Sequence, residues 1–192
     1  MSDIFAGSED ALVVVDLQND FCPGGALAVP EGDLILPQVN ILLAHPHLFK
    51  VATRDWHPTS HMSFKAQGGI WPPHCVANTL GAQFPSKMYS SRVNLLISKG
   101  TREDAEAYSG FDGTPLASEL KSRGIRRIFV CGLATDYCVC ATALDARQEG
   151  TEVVILEDTI RAVDVRPGDG GRAIQRMRDA GCVFARSVDV VE

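Results

Sequence analysis

The sequence predicts a doubly wound α/β fold in three layers: a mostly parallel six-stranded sheet with helices on both faces. Three observations predict it. Short β-rich apolar runs alternate with helix-length segments along the chain. The runs are continuously apolar, which suits strands buried on both sides of a parallel sheet. Glycines follow the helical segments where a left-handed residue would end a helix.

In chain order, Ala11–Asp16 (ALVVVD) reads as the first strand, followed by a helix near 36–45. Lys50–Asp55 (KVATRD) and Leu95–Lys99 (LLISK) are the second and third strands. The next helix, near 115–123, has Thr114 as N-cap and Pro115 at the first helical position, where its missing N–H is no loss. Leu116 and Leu120 share one face of it, and Gly124 follows its end. Arg127–Cys131 is the fourth strand, then a helix near 138–149 closed by Gly150. Glu152–Leu156 is the fifth strand, and a helix near 171–180 closed by Gly181 leads to the sixth, Cys182–Ala185.

One stretch breaks the rhythm. Trp56 to Val93 holds Pro58, Pro72, Pro73, Pro85 and Gly68-Gly69, with no long helical pattern. Irregular stretches of that length inside a compact domain are usually functional. No repeat, low-complexity tract or linker is visible, so residues 1–192 read as one domain, with a functional loop region at about 56–93.

Composition narrows the function. Hydrophobic residues make up 45% and charged residues 22%, ordinary globular usage that excludes disorder, collagen and coiled coil. The longest apolar stretches (Ala11–Val15, Ile41–Ala44, Val153–Leu156) fall far short of the ~18–20 residues of a membrane span. A net charge of −6 leaves no electrostatic footprint for nucleic acid or an anionic membrane. The first ten residues, MSDIFAGSED, lack the basic start and apolar run of a signal peptide. The six cysteines therefore read as reduced thiols, and a cytoplasmic location is expected. A homo-oligomer stays open, since no long exposed apolar stripe decides it.

In open α/β sheets, ligands bind at the carboxyl ends of the strands. Here those ends carry Asp16, Asp55, Lys99 and the run Gly132-Leu-Ala-Thr-Asp-Tyr-Cys138. Any one of these charges would be an ordinary solvated strand end; four converging on one edge point to chemistry. Cys138 is the nucleophile candidate, because a cap at Thr135 or Asp136 would put it in the first turn of a helix, where the dipole favours a thiolate. Asp16, on the neighbouring strand, would accept its proton, and Lys99 would stabilise charge and hold Asp16. Cys140 should point elsewhere, because i and i+2 lie on different faces of a helix.

A second constellation is Asp55-Trp-His57-Pro-Thr-Ser-His61, with His74 after Trp71-Pro-Pro. One carboxylate and three imidazoles, without thiolates, suit a single divalent Zn²⁺, Fe²⁺ or Mn²⁺ with an open position rather than a structural zinc finger. Surface histidines are the bland alternative, which so dense a cluster disfavours; His45 and His47 are read as merely exposed, and Cys75 as packing. Phe21, Trp71 and Tyr108 fall on loops at the same edge and would wall a flat pocket, while Phe111 and Phe129 read as core. The Gly168-Asp-Gly-Gly171 turn lacks the P-loop lysine and reads as a plain loop.

These stretches closely resemble the nicotinamidase/pyrazinamidase family of isochorismatase-like hydrolases. The matching text is Asp16-Leu-Gln-Asn-Asp-Phe-Cys-Pro-Gly-Gly-Ala-Leu27, Thr53-Arg-Asp-Trp-His-Pro58, His61-Met-Ser-Phe64, Trp71-Pro-Pro-His-Cys-Val76, Ser98-Lys-Gly100, Tyr108-Ser-Gly-Phe-Asp-Gly113 and Gly132-Leu-Ala-Thr-Asp-Tyr-Cys-Val139. The resemblance weakens over the last forty residues or so. It implies a catalytic triad of Asp16, Lys99 and Cys138, and metal ligation by Asp55, His57, His61 and His74. It further implies a cis peptide before Ala134 and an oxyanion hole from the N–H groups of Ala134 and Cys138. The implied substrate is the small molecule nicotinamide, with pyrazinamide as a second, in an entry step of NAD salvage. The alternative within the superfamily is a related cysteine amidohydrolase acting on another small amide, which would not need Asp55 with three histidines. A metal-storage protein without turnover would leave Asp16 and Lys99 idle.

Overall fold

The computed structural model describes residues 3–192; Met1 and Ser2 of the N-terminal decapeptide lie outside the described residues. In chain order the elements are β1 (Ile4–Phe5), β2 (Asp10–Val15), α1 (Leu36–Ala44), β3 (Phe49–Asp55), β4 (Leu95–Lys99), α2 (Leu116–Ser122), β5 (Arg127–Leu133), α3 (Cys140–Gln148), β6 (Glu152–Arg161), α4 (Asp169–Asp179), β7 (Val183–Ala185) and β8 (Val190–Val191). Six strands form one parallel sheet in the order β4-β3-β2-β5-β6-β7, matching the expected architecture.

Alternation along the strands splits the core in two. From β2, Leu12 and Val14 join one cluster, while Ala11, Val13 and Val15 join the other. Leu36, Val39, Leu42 and Leu43 of α1 pack on the first face. Leu116 and Leu120 of α2, Ala143 and Ala146 of α3, and Ala173 and Met177 of α4 cover the second. That is why β2 is buried at every position and reads as an unbroken apolar run.

The chain winds outward from β2 through β3 to β4, then returns to the other side of β2 for β5, β6 and β7. The direction reverses between β2 and β5, so the crevice at their carboxyl ends is where such a sheet binds ligand. The connection from β3 to β4 contains no α-helix, only short 3₁₀ turns at Lys65–Gln67 and Ser90–Arg92.

Several boundaries differ from expectation. Pro115 is the N-cap of α2 and Leu116 its first residue, one later than the sequence suggests; Thr114 Oγ1 still accepts from the Leu116 N–H at 3.2 Å. β2 stops at Val15 because Asp16 turns into the left-handed region, with φ 44°. β6 runs on to Arg161 past a register shift, and β7 begins at Val183 rather than Cys182. The parallel pair of β1 and β8 was not foreseen. No helix among the described residues is long and apolar enough to cross a membrane.

Candidate active site

The ends of β2, β3, β4 and β5 meet as expected, and Lys99 is their hub. Its Nζ is buried and donates to Asp55 Oδ1 at 2.5 Å, to the Ala107 carbonyl at 3.1 Å and to Cys138 Sγ at 3.4 Å. Asp16 Oδ2 lies 2.8 Å from Nζ, yet it is buried without a hydrogen-bond partner among the described residues. The other oxygen, Oδ1, accepts from Thr53 Oγ1 at 2.6 Å. Donor atoms of Asp16, Asp55 and Cys138 all lie within 4.8 Å of one another, so the spare lone pair of Asp16 sits beside the thiol.

Burial sets the protonation states. It raises Asp16 above the usual carboxylate range, against the pull of Lys99. It also pushes the Cys138 thiol well above its ordinary value. Burial works against the Lys99 charge too, but Asp16 and Asp55 outweigh it and keep the ammonium firmly protonated. For Asp55, the nearby Lys99 and His57 overcome burial and hold the carboxyl below its usual range. The cluster thus pairs a neutral thiol with a basic, half-satisfied carboxylate.

Cys138 does not sit behind a side-chain cap. The segment Thr135–Val139 is a single π turn opening from Ala134, with no side-chain cap, and α3 follows it. Asp136 is not the cap because its carboxylate is engaged by the N–H groups of Val163 and Asp164. The Ala134 carbonyl accepts from both Tyr137 and Val139 N–H, which closes the turn around the thiol. The Leu133–Ala134 peptide is cis.

Beside the thiol, Asp55, His57 and His74 present donor atoms mutually within 4.8 Å, all three side chains buried. Nδ1 of His57 lies 2.8 Å from the Gly100 carbonyl, and Nδ1 of His74 2.8 Å from that of Pro72. A carbonyl only accepts, so each Nδ1 carries the proton and turns its Nε2 away from that carbonyl, that of His57 lying 3.5 Å from Asp55 Oδ2. Gly100 is required here: at φ 59° an added Cβ would sit 2.5 Å from His57 Cε1. His61 stacks on His57 with ring centroids 4.0 Å apart. Its ring nitrogens, however, contact Ser63 Oγ at 2.7 Å and the Ala105 carbonyl at 3.0 Å, and it stands apart from the three-donor cluster. A carboxylate oxygen with two imidazole nitrogens is a donor set that fits a divalent metal.

The three expected aromatics do line one pocket, with Asp55, His74, Ala134 and Cys138 reaching it from the sheet edge. Trp71 Nε1 donates to the Tyr108 hydroxyl at 3.0 Å, and Phe21 lies against His74 with centroids 5.6 Å apart. Tyr137 completes the aromatic side, 5.1 Å from Trp71 and 5.5 Å from Tyr108, while Leu27, Val29 and Val163 form the aliphatic side.

Residues 10–188 match the isochorismatase domain. The chain belongs to the isochorismatase family. The nicotinamidase of Escherichia coli (strain K12) is 37% identical over 203 aligned residues, covering 93% of this chain and 95% of that protein. A structure of PnC1 from L. infantum in complex with nicotinate superposes with a TM-score of 0.94 at 41% identity, covering 98% of each chain. The pyrazinamidase of Pyrococcus horikoshii in complex with zinc superposes at 0.84, with 48% identity over 93% of this chain and 99% of that one.

Two further residues of the site hold the ligands rather than act, and neither carries chemistry of its own in the sequence. Gln18 is fully buried: its Oε1 accepts from the Asp55 N–H at 2.8 Å and its Nε2 donates to the Asp55 carbonyl at 2.8 Å. Asp20 accepts from the Cys75 N–H at 2.7 Å, fixing the chain directly after His74. Both lie two and four residues beyond Asp16 in the same motif, which was the signal available.

Proposed function

We propose that the chain is a nicotinamidase, hydrolysing nicotinamide to nicotinic acid and ammonia and acting on pyrazinamide as well. The observation that carries this reading is Asp16 Oδ2, buried without a hydrogen-bond donor, beside Lys99 and the Cys138 thiol at the edge of an aromatic pocket. The nicotinamidase and pyrazinamidase names of its relatives support the substrate.

Asp16 takes the Sγ proton as Cys138 adds to the amide carbon, and the carbonyl electrons move onto oxygen. The N–H groups of Ala134 and Cys138 receive that oxyanion. Asp16 then passes the proton to the amide nitrogen, the C–N bond breaks, and ammonia leaves a thioester on Cys138. Water gives a proton to Asp16 and adds to the thioester carbon. The C–S bond breaks, Asp16 returns the proton to Sγ, and the acid departs. Lys99 holds Asp16 in place and balances its charge throughout.

Asp55, His57 and His74, together with His61, would hold the metal, with zinc, iron and manganese all suited to these donors. When bound, the ion supplies a Lewis-acid anchor for the pyridine nitrogen. Phe21, Trp71 and Tyr108 would sandwich the ring. A single domain over residues 1–192 carries the activity, with about 56–93 as the metal and substrate loop. Six free, buried cysteines suit a reducing, cytoplasmic setting.

Ammonia release from nicotinamide, measured with each of the three metals supplied, tests the reading. Turnover should be clear in wild type and fall at least about 10³-fold in Cys138→Ala. No release by wild type, or retained release by Cys138→Ala, overturns it.

A further inference from the structure

Val163 forms part of the aliphatic wall of the pocket, but it comes from no strand or helix. It lies in the connection between β6, which ends at Arg161, and α4, which begins at Asp169. Two anchors hold that connection. On the pocket side, Asp136 Oδ1 accepts from the Val163 N–H at 3.0 Å and Oδ2 from the Asp164 N–H at 2.8 Å. On the far side, Asp164 Oδ1 accepts from the Gly170 N–H at 2.8 Å. Gly170 is needed there, since an added Cβ would lie 2.6 Å from the Ala162 Cβ.

Asp136 is two residues before Cys138, inside the same π turn. One turn therefore carries the thiol and, through a two-pronged carboxylate, a wall of the same pocket. Charge-assisted bonds from two successive N–H groups to one carboxylate fix the backbone more tightly than a single neutral bond. Loosening them leaves Val163 held by its packing on the first core cluster, with Asp164, Val165 and Arg166 beyond it all exposed.

We propose that Asp136 is a positioning residue that sets substrate specificity: it clamps Val163 against the pocket, so that the site takes a single six-membered heteroaromatic ring and rejects a fused bicyclic one. This rests on the nicotinamidase reading for its substrate. It acts on ring fit and leaves the attack by Cys138 unchanged.

The test compares wild type with Asp136→Ala, Asp136→Asn, Val163→Ala and the Asp136→Ala/Val163→Ala double variant. Three readouts are taken: KM and kcat for nicotinamide and for quinoline-3-carboxamide, the Kd for nicotinate, and hydrogen exchange at the amides of Val163 and Asp164. Asp136→Ala should speed exchange at both amides and raise the nicotinamide KM about tenfold, with kcat within about threefold, the size expected when one apolar side chain leaves the ring. The preference for nicotinamide over the bicyclic amide should narrow by a similar factor. Asp136→Asn keeps one acceptor oxygen and falls between, which keeps the test usable should the alanine variant fold poorly. Adding Val163→Ala to Asp136→Ala should change selectivity little further, because both act on one wall.

Unchanged KM and selectivity in both Asp136 variants overturns the clamp, as does a fall in kcat with KM unmoved. If wild type releases no ammonia, the nicotinamidase reading is what fails. The clamp is then judged on nicotinate binding, which must weaken about tenfold in Asp136→Ala. Equal binding, or no binding by wild type, overturns it.

Discussion

β2 carries an aspartate at each end, and the two are treated in opposite ways. At the start of the strand, Asp10 is fully satisfied: Arg127 Nε and an Nη donate to its two oxygens at 2.8 and 2.7 Å, and the Gly7 N–H adds a third bond at 2.7 Å. Just past the other end, Asp16 is more deeply buried and less satisfied, with one oxygen lacking a donor. Arg127 is a planar fork that saturates a carboxylate, whereas Lys99 is a point charge already committed to three other atoms. A saturated carboxylate holds structure. A half-satisfied one, kept basic by burial, is available to move a proton.

Exchanging the roles of the two ends is the strongest way to break this contrast. Asp16→Asn removes the proton acceptor but keeps the shape, and Lys99 retains Asp55 as its counter-charge. Ammonia release from nicotinamide should fall at least about 10³-fold, while thermal unfolding moves by only a few degrees. A variant that keeps more than about a tenth of the activity would show that some other group takes the Cys138 proton.

A smaller effect is expected one step removed. Thr53 Oγ1 donates to Asp16 Oδ1 and also lies 3.2 Å from the Asp16 N–H, so it holds both the carboxylate and its left-handed backbone. Thr53→Val leaves Oδ1 without its donor and the carboxylate free to rotate from the thiol. About a tenfold loss in kcat is expected, the equivalent of one buried hydrogen bond, with Thr53→Ser restoring most of it. If valine and threonine turn over equally, Lys99 alone positions Asp16.

The same contrast explains what could be read from the sequence. Asp16, Asp55 and Lys99 were legible because each ends an apolar run, and a charge there must face the ligand edge or pair with something. Cys138 was legible from its helix-start position, but the π turn was not: two plausible caps, Thr135 and Asp136, stood before it, and only the fold shows Asp136 committed to a loop 27 residues away. The histidines could be collected by spacing, yet His61 is held by Ser63 and by the Ala105 carbonyl, a contact made 44 residues further on. Gln18 escaped notice because an amide in a loop has no chemistry of its own, and its value lies in bracketing the backbone of Asp55. The β1–β8 pair joins the two ends of the chain through two residues each, too short for any periodicity to register.

The saturated end of β2 should respond in the other currency. Asp10→Asn removes the charge that faces Arg127, whose side chain is only 26% exposed, and leaves part-buried donors without a full partner. Bonds to a charged group are worth about 1.5–3 kcal/mol each when half-buried, and a chain of this size loses about 2–4 °C in Tm per kcal/mol. A fall in Tm of a few to about 10 °C is therefore expected, with kcat and KM for nicotinamide within about twofold of wild type. Asp10 pairs with Arg127 at the amino end of the sheet, six residues before Asp16, and none of the residues lining the aromatic pocket comes from that edge. Loss of activity in Asp10→Asn without loss of stability would mean that the two ends of β2 are coupled through the strand, and that saturation of a carboxylate is no guide to its role here.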